Sequence, residues 1–390
     1  MDNTTDYLRT LADVYREPEP VSCVYVDMSV DTADPPQVER ARSHSAVDAL
    51  RRAGAPDADI EAVVEALTEA ESVPSPVTVL SVVRGGEPLL TEVIRSTPAD
   101  AESVSFGRVP DLSPAVKHAL TAFSYLVVET AREGGRVTLF QVGKAAPETS
   151  QYVEGRTDSL HKPKRGTGSR NEHTQDHVEE IWKQTQSEVA TTIDHLVRRH
   201  RPRLLVVAGD IRARQLLADE LSHEAKAILV VEPTDTEPEG ASDERLTERI
   251  DAEIERIVRA DEEAITDLIN LHEGRGDNLA ELTVGGVVHA LASAQVDALL
   301  IDDARLADRE LLALDDAPWV ASTPEDALTA RILGKVPARS ALLRAALLTD
   351  ARVYFTREAG LDDHPLTLPG EAAVAALLRW QTGPAVPAAS

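Results

Sequence analysis

A single cysteine, Cys23, occurs in 390 residues, which rules out an internal disulfide and any zinc site built on several thiolates. Its place in the apolar run Val21–Val26 predicts a small buried thiol rather than a reactive one. Aromatic residues make up 3% of the chain, so its cores must be assembled from Leu, Val, Ile and Ala. No stretch of 18 uncharged apolar residues occurs, which excludes a helical membrane span. Met1–Thr10 is polar and acidic and lacks the apolar centre of a secretion signal. On these absences a cytoplasmic location is expected. Positive charge is also scarce: 40 Lys and Arg stand against 67 Asp and Glu, a formal net charge of −27. Nucleic acid is repelled by such a body at long range, so an RNA-binding surface must be a local basic patch.

Catalytic signatures are missing as well. There is no G-x-x-x-x-G-K-[ST] loop, no G-x-G-x-x-G between a strand and a helix, no G-x-S-x-G elbow and no H-E-x-x-H. Nothing in the spacing of Ser, His and Asp proposes a triad, and no cofactor is implied. His173 and His177 stand four apart, with Glu180 further on, which on a helix puts them on one face. No third ligand accompanies them, so solvated first turns of a helix are the plainer reading and no metal site is predicted. The acidic pairs Asp302-Asp303, Asp315-Asp316 and Asp362-Asp363 read as caps and solvated turns.

What is present is an ordinary apolar fraction, 42%, in a chain too long for one core. Mixed α/β structure in three domains is expected: 1–123, 124–273 and 274–383, with a disordered tail at 384–390. In the first, strands at Val21–Met28, Val77–Val83 and Leu89–Ile94 alternate with helices near 38–52 and 57–70, and Arg84-Gly85-Gly86 makes a hairpin turn. The second opens with a hairpin around Glu133-Gly134-Gly135. A long helix from about Thr174 to His200 follows, then a strand at Arg203–Ala208, a helix at Ile211–Leu221 and a strand at Ala227–Val231. That strand–helix–strand order implies a parallel pair joined by a right-handed crossover. A second long helix covers Glu244 to His272. The third domain reads as an α-β-α sandwich with helices at Leu279–Ala294, Ala307–Leu314, Ser340–Leu348 and Glu371–Trp380, and strands at Ala298–Ile301, Trp319–Ala321 and Arg352–Phe355.

Between the hairpin and the first long helix, at 157–172, the charge inverts. From Lys162 to Arg170 within it there are four cations, Lys162, Lys164, Arg165 and Arg170, and no acid, around Gly166, Thr167, Gly168 and Ser169. Cations that neutralise phosphates, on a backbone that glycine lets come close, suit a nucleic-acid backbone. A basic surface loop without a partner fits the same residues.

These residues also carry a family likeness. His161-Lys162-Pro163, the glycine-containing loop and the helix at His177-Val178-Glu179-Glu180 resemble the middle domain of the bacterial branch of the archaeal/eukaryotic class-1 release factor and Pelota superfamily. Leu205–Arg212, Gly274-Arg275-Gly276, Val296–Ile301 and Ala375–Arg379 resemble its later elements, and the group most similar is the actinobacterial proteins related to the dormancy factor Balon. The resemblance implies three domains that occupy the ribosomal A site. The first faces the decoding centre, the second the peptidyl-transferase centre, and the third a translational GTPase. Release factors carry Gly-Gly-Gln at the tip of the middle-domain loop. This chain has Gly166-Thr167-Gly168-Ser169 there and no Gly-Gly-Gln anywhere.

The resemblance therefore implies a non-catalytic factor on idle or stalled 70S ribosomes, in dormancy or stress, with elongation factor Tu as partner and no small-molecule substrate. On this reading Lys162, Lys164, Arg165, Gly166, Thr167, Gly168, Ser169 and Arg170 contact ribosomal RNA. Two alternatives stay open. One is a peptidyl-tRNA hydrolase in which Gln175 or a backbone amide replaces the missing Gln. The other is a stress-response binding protein unrelated to ribosomes.

Overall fold

The computed structural model describes residues 3–17, 19–29, 35–70, 72–73, 75–94, 98, 100–144, 147–155, 170–232, 241–356 and 368–381; for 3–6, 35–39, 170–178 and 241–244 it describes the backbone only. The chain is mixed α/β and divides into two compact units, Thr121–Val258 and a unit in which Met1–Leu120 joins Arg259–Ser390.

The first segment runs α1 (Asn3–Arg16), β1 (Val21–Asp27), α2 (Pro35–Ala53), α3 (Asp57–Ala70), β2 (Thr78–Arg84), β3 (Glu87–Ile94), β4 (Ser103–Gly107) and α4 (Ser113–Thr121). Its sheet is antiparallel in the order β3-β2-β1-β4. Strand β1 is buried on both faces, which is why it reads as an unbroken apolar run. Val24 and Val26 pack beneath α2 and α3, while Val21, Cys23 and Tyr25 belong to the core on the other side. Cys23 is buried as expected, and burial pushes its thiol up to about 12, so it stays protonated and inert. The helix α3 is tied to the hairpin by Asp59, which is fully buried and accepts from Ser22 Oγ (2.7 Å) and the Gly86 amide (2.7 Å).

The central segment runs β5 (Ser124–Ala131), β6 (Gly134–Gln141), β7 (Thr149–Glu154), α5 (Arg170–His200), β8 (Leu204–Gly209), α6 (Ile211–Glu220), α7 (His223–Ala227), β9 (Leu229–Val231) and α8 (Ala241–Arg275). The sheet order is β7-β6-β5-β8-β9, with β5, β8 and β9 mutually parallel. The expected strand–helix–strand crossover is β8-α6-α7-β9. The apolar stripe of α5, with Val189, Ile193 and Leu196, packs on one face of this sheet, and Ile257 and Val258 of α8 on the other. Strand β7 has no counterpart in the sequence reading, because its mostly polar, exposed residues show no alternation and resemble a loop.

The last segment runs β10 (Ala280–Glu281), α9 (Val284–Ala292), β11 (Val296–Ile301), α10 (Asp303–Leu306), β12 (Glu310–Leu314), β13 (Val320–Ala321), a 3-10 turn (Pro324–Ala327), β14 (Ile332–Pro337), α11 (Ala338–Leu348), β15 (Arg352–Phe355) and β16 (Val374–Leu378). The main sheet is ordered β10-β16-β11-β15, with α9 and α11 on one face and Ile265 and Ile269 of α8 on the other. A second sheet has the order β13-β12-β14.

Two expected helices are strands. Glu371–Trp380 holds β16, an inner strand whose five residues are all buried, and Ala307–Leu314 holds β12. A short apolar run covered on both faces has no period that separates strand from helix. The helix expected from Leu279 starts only at Val284. Glu281 folds back to accept from the Thr283 amide (2.9 Å), and Thr283 Oγ1 caps Gly286 (3.1 Å). A Cβ on Gly286 would overlap the Glu281 carboxylate, so this glycine makes room for the cap.

The two segments of the composite unit are joined by charge as well as by a shared core. Lys117 of α4 donates to Asp100 (3.0 Å) and to Asp303 of α10 (2.6 Å). Arg339 of α11 pairs with Asp100 (3.1 Å), Asp303 (3.4 Å) and Asp111. Burial opposes charge on Arg339, but Asp111, Asp303 and Asp100 outweigh it and raise its pKa. Nearby, the fully buried Arg344 donates to the carbonyls of Leu314 (2.6 Å), Trp319 (3.3 Å) and Tyr15 of α1 (3.3 Å).

Candidate functional site: the root of the basic loop

Lys162, Lys164, Arg165, Gly166, Thr167, Gly168 and Ser169 lie outside the described residues. Arg170 is the first residue of α5, but its side chain, like those of His173, Gln175 and His177, is outside the description. The structure does describe the root of the loop: Gly155 after β7, the body of α5, and the ends of β5 and β8.

Parallel strands leave their C-terminal ends together, and here Thr130 of β5 stands opposite Gly209 of β8. Gly209 has φ +113°, and a Cβ on it would overlap the Thr130 carbonyl. That close approach lets the Asp210 amide donate to Thr130 O (3.0 Å). Asp210 then caps α6 by accepting from the Ala213 amide (3.0 Å), and its second oxygen accepts from Arg132 Nε (3.0 Å). The Arg132 guanidinium lies 4.8 Å from the centroid of the Trp182 ring on α5.

Helix α5 is fixed to the same strand ends. Gln186 is fully buried; its Nε2 donates to Ala131 O (2.9 Å) and its Oε1 accepts from Thr130 Oγ1 (2.7 Å). Arg212 of α6 pairs with Glu179. Also on α6, Arg214 is 4% exposed and its Nε and Nη1 have no hydrogen-bond partner among the described residues. Gly155 donates to Glu133 O (2.8 Å) and is pressed so closely on Thr185 that a Cβ would overlap its side chain. From Thr185 the helix continues 15 residues back to Arg170, a length of about 22 Å at 1.5 Å per residue. The chain therefore enters the loop at a clamped sheet end and leaves it at the far tip of a long helix.

In the described root, Arg132 and Arg212 are each matched by an acid, so it is not itself a strong cationic patch. Among the described residues no group of three or more His, Cys, Asp or Glu could hold a metal ion. The sequence reading placed Gly209-Asp210 at a strand–helix junction; the signal for its role was an Asp directly before a helix. The Arg132–Trp182 stack and the Gln186 bridge carry no local signal, since their partners are 50 or more residues apart.

The segment built around this root is also the one that a family model matches. Residues 124–275 match the model of bacterial archaeo-eukaryotic release factor family 2. The chain is release-factor-like through this central segment, which is less than half of its length. The match takes in His161-Lys162-Pro163, the loop and Leu205–Arg212, which carried the superfamily resemblance. No curated protein matches the chain. Among solved structures it is similar to the archaeal translation termination factor aRF1, at 15% identity and TM-score 0.25, over 97% of this chain and 99% of that one. It is similar to Archaeoglobus fulgidus Pelota at 14% identity and TM-score 0.37, over 97% and 93% of the two chains. Archaeal Pelota in a ribosome-bound model with ABCE1 gives 14% identity and TM-score 0.41, over 98% and 96%. At these TM-scores the likenesses carry no functional weight.

Proposed function

We propose that this protein is a non-catalytic ribosome-binding factor that occupies the A site of idle or stalled ribosomes. The observation that carries the reading is a release-factor-like segment in a chain without Gly-Gly-Gln; the resemblance puts Gly166-Thr167-Gly168-Ser169 in its place. On this reading residues 1–123 face the decoding centre and 274–383 face a GTPase, elongation factor Tu. Residues 124–273 carry the cationic loop toward the peptidyl-transferase centre. Kinship with Balon-related proteins of actinobacteria would make the role one of dormancy or stress. The loop's four cations oppose a body of charge −27, so they concentrate attraction for phosphate at one point. The clamped root described above supports this, because it would hold a charged tip away from the acidic bulk.

The test is co-sedimentation of the purified chain with 70S ribosomes over a range of salt. Replacing Lys162, Lys164 and Arg165 by Glu should weaken association and make it less salt-dependent, by roughly one unit of log–log slope for each phosphate no longer neutralised. Association of that variant at the wild-type level and slope would remove the loop from the interface. A peptide-release assay on programmed ribosomes serves as the second arm. Turnover that disappears with the loop would replace the non-catalytic reading with a hydrolase.

A further inference from the structure

The small sheet β13-β12-β14 ends in a feature that folding does not need. Leu328 is 80% exposed and has φ +54°, a conformation that favours glycine. The residues around it are anchored. Ala327 is buried with Leu314 and Ala321, and Ala330 packs against the same cluster. The Ala330 amide donates to Ala327 O (3.0 Å). Before the tip, Asp326 accepts from the Thr323 amide (3.1 Å) and hydroxyl (2.9 Å). After it, Arg331 donates to Asp315 through its amide (2.8 Å) and Nε (3.1 Å), and the Asp315 amide donates to Arg331 O (3.0 Å). A large apolar side chain is thus held outward on a preorganised turn, with Ile332, 40% exposed, close behind it.

The charge around the knob selects its partner. Between Asp315 and Arg331 stand Asp315, Asp316, Glu325 and Asp326, against the single base Arg331, which is bound to Asp315. Phosphate would be repelled from this end of the domain, whereas Lys and Arg side chains around an apolar socket would be attracted. We propose that Leu328 is the central contact of a protein–protein interface whose other side is an apolar socket rimmed by basic residues, on a ribosomal protein. This deepens, and rests on, the ribosome reading above. It assigns the small sheet to protein and leaves RNA to the basic loop.

A photo-reactive benzophenone amino acid in place of Leu328, with a control in place of the similarly apolar, exposed Val64, tests it on the full chain bound to purified 70S ribosomes. The expected result is a cross-link from position 328 to a ribosomal protein. Leu328→Asp should weaken sedimentation with ribosomes by about tenfold or more, while Leu328→Met stays within about twofold, as for a buried anchor residue. Cross-linking to ribosomal RNA would overturn the proposal. So would the lack of a cross-link from ribosome-bound protein, or wild-type binding by Leu328→Asp with its unfolding midpoint unchanged. Failure of the wild-type chain to sediment would instead sink the ribosome reading, and this inference with it.

Discussion

Arg339 offers the sharpest energetic test of the composite unit. Its guanidinium meets Asp100, Asp111 and Asp303, and Lys117 is the second cation against those three acids. Arg339→Ala changes the cluster from three acids and two cations to three acids and one, and strips Asp111 of its cationic partner there. Breaking a fully buried ion pair costs roughly 3–5 kcal/mol. Here the side chains keep 15–27% of their exposure, and solvent screening brings the expectation down to about 2–3 kcal/mol. For a unit of this size that is a fall of roughly 4–10 °C in the midpoint of its thermal transition. Differential scanning calorimetry, with near-ultraviolet dichroism to follow Trp319 and Trp380, measures it. Adding Asp303→Asn to Arg339→Ala should restore part of the loss, because it removes a carboxylate that has become uncompensated. A shift below about 1 °C in the single variant, or no recovery in the double, would refute the claim that the cluster joins the two segments.

Other consequences follow from individual residues. Burial lowers His118 from its usual value to about 4, so the unfolded chain binds the extra proton first as pH falls. Stability attributable to His118 is full above pH 6.5 and declines toward pH 4, by up to about 3 kcal/mol. His118→Gln should flatten that part of the pH–stability curve. Gly209→Ala should cost about 3 kcal/mol or more, or prevent the central unit from folding, since both φ and the Thr130 carbonyl forbid a Cβ; urea unfolding monitored at Trp182 would show it. Leu328→Gly should raise stability by about 1 kcal/mol by relieving a left-handed non-glycine residue, and a lower unfolding midpoint would contradict the strain.

Local chemistry was enough for a good part of this protein. Short apolar runs bounded by turn residues placed β1, β2, β3, β5, β6 and β8, stripes of period 3.6 placed α3, α5 and α8, and the glycine pairs at 85–86 and 134–135 placed the two hairpins, because those signals act between near neighbours. The motif order around the basic loop pointed to the release-factor superfamily for the same reason: it is read residue by residue. Tertiary structure alone decided that 374–378 is an inner strand, since burial on both faces erases the period. It also brought Asp100, Asp111, Lys117, Asp303 and Arg339 together, and stacked Arg132 on Trp182. Those groups are separated by up to about 240 residues, and a pairing at that range depends on how sheets and helices stack, which no local pattern encodes.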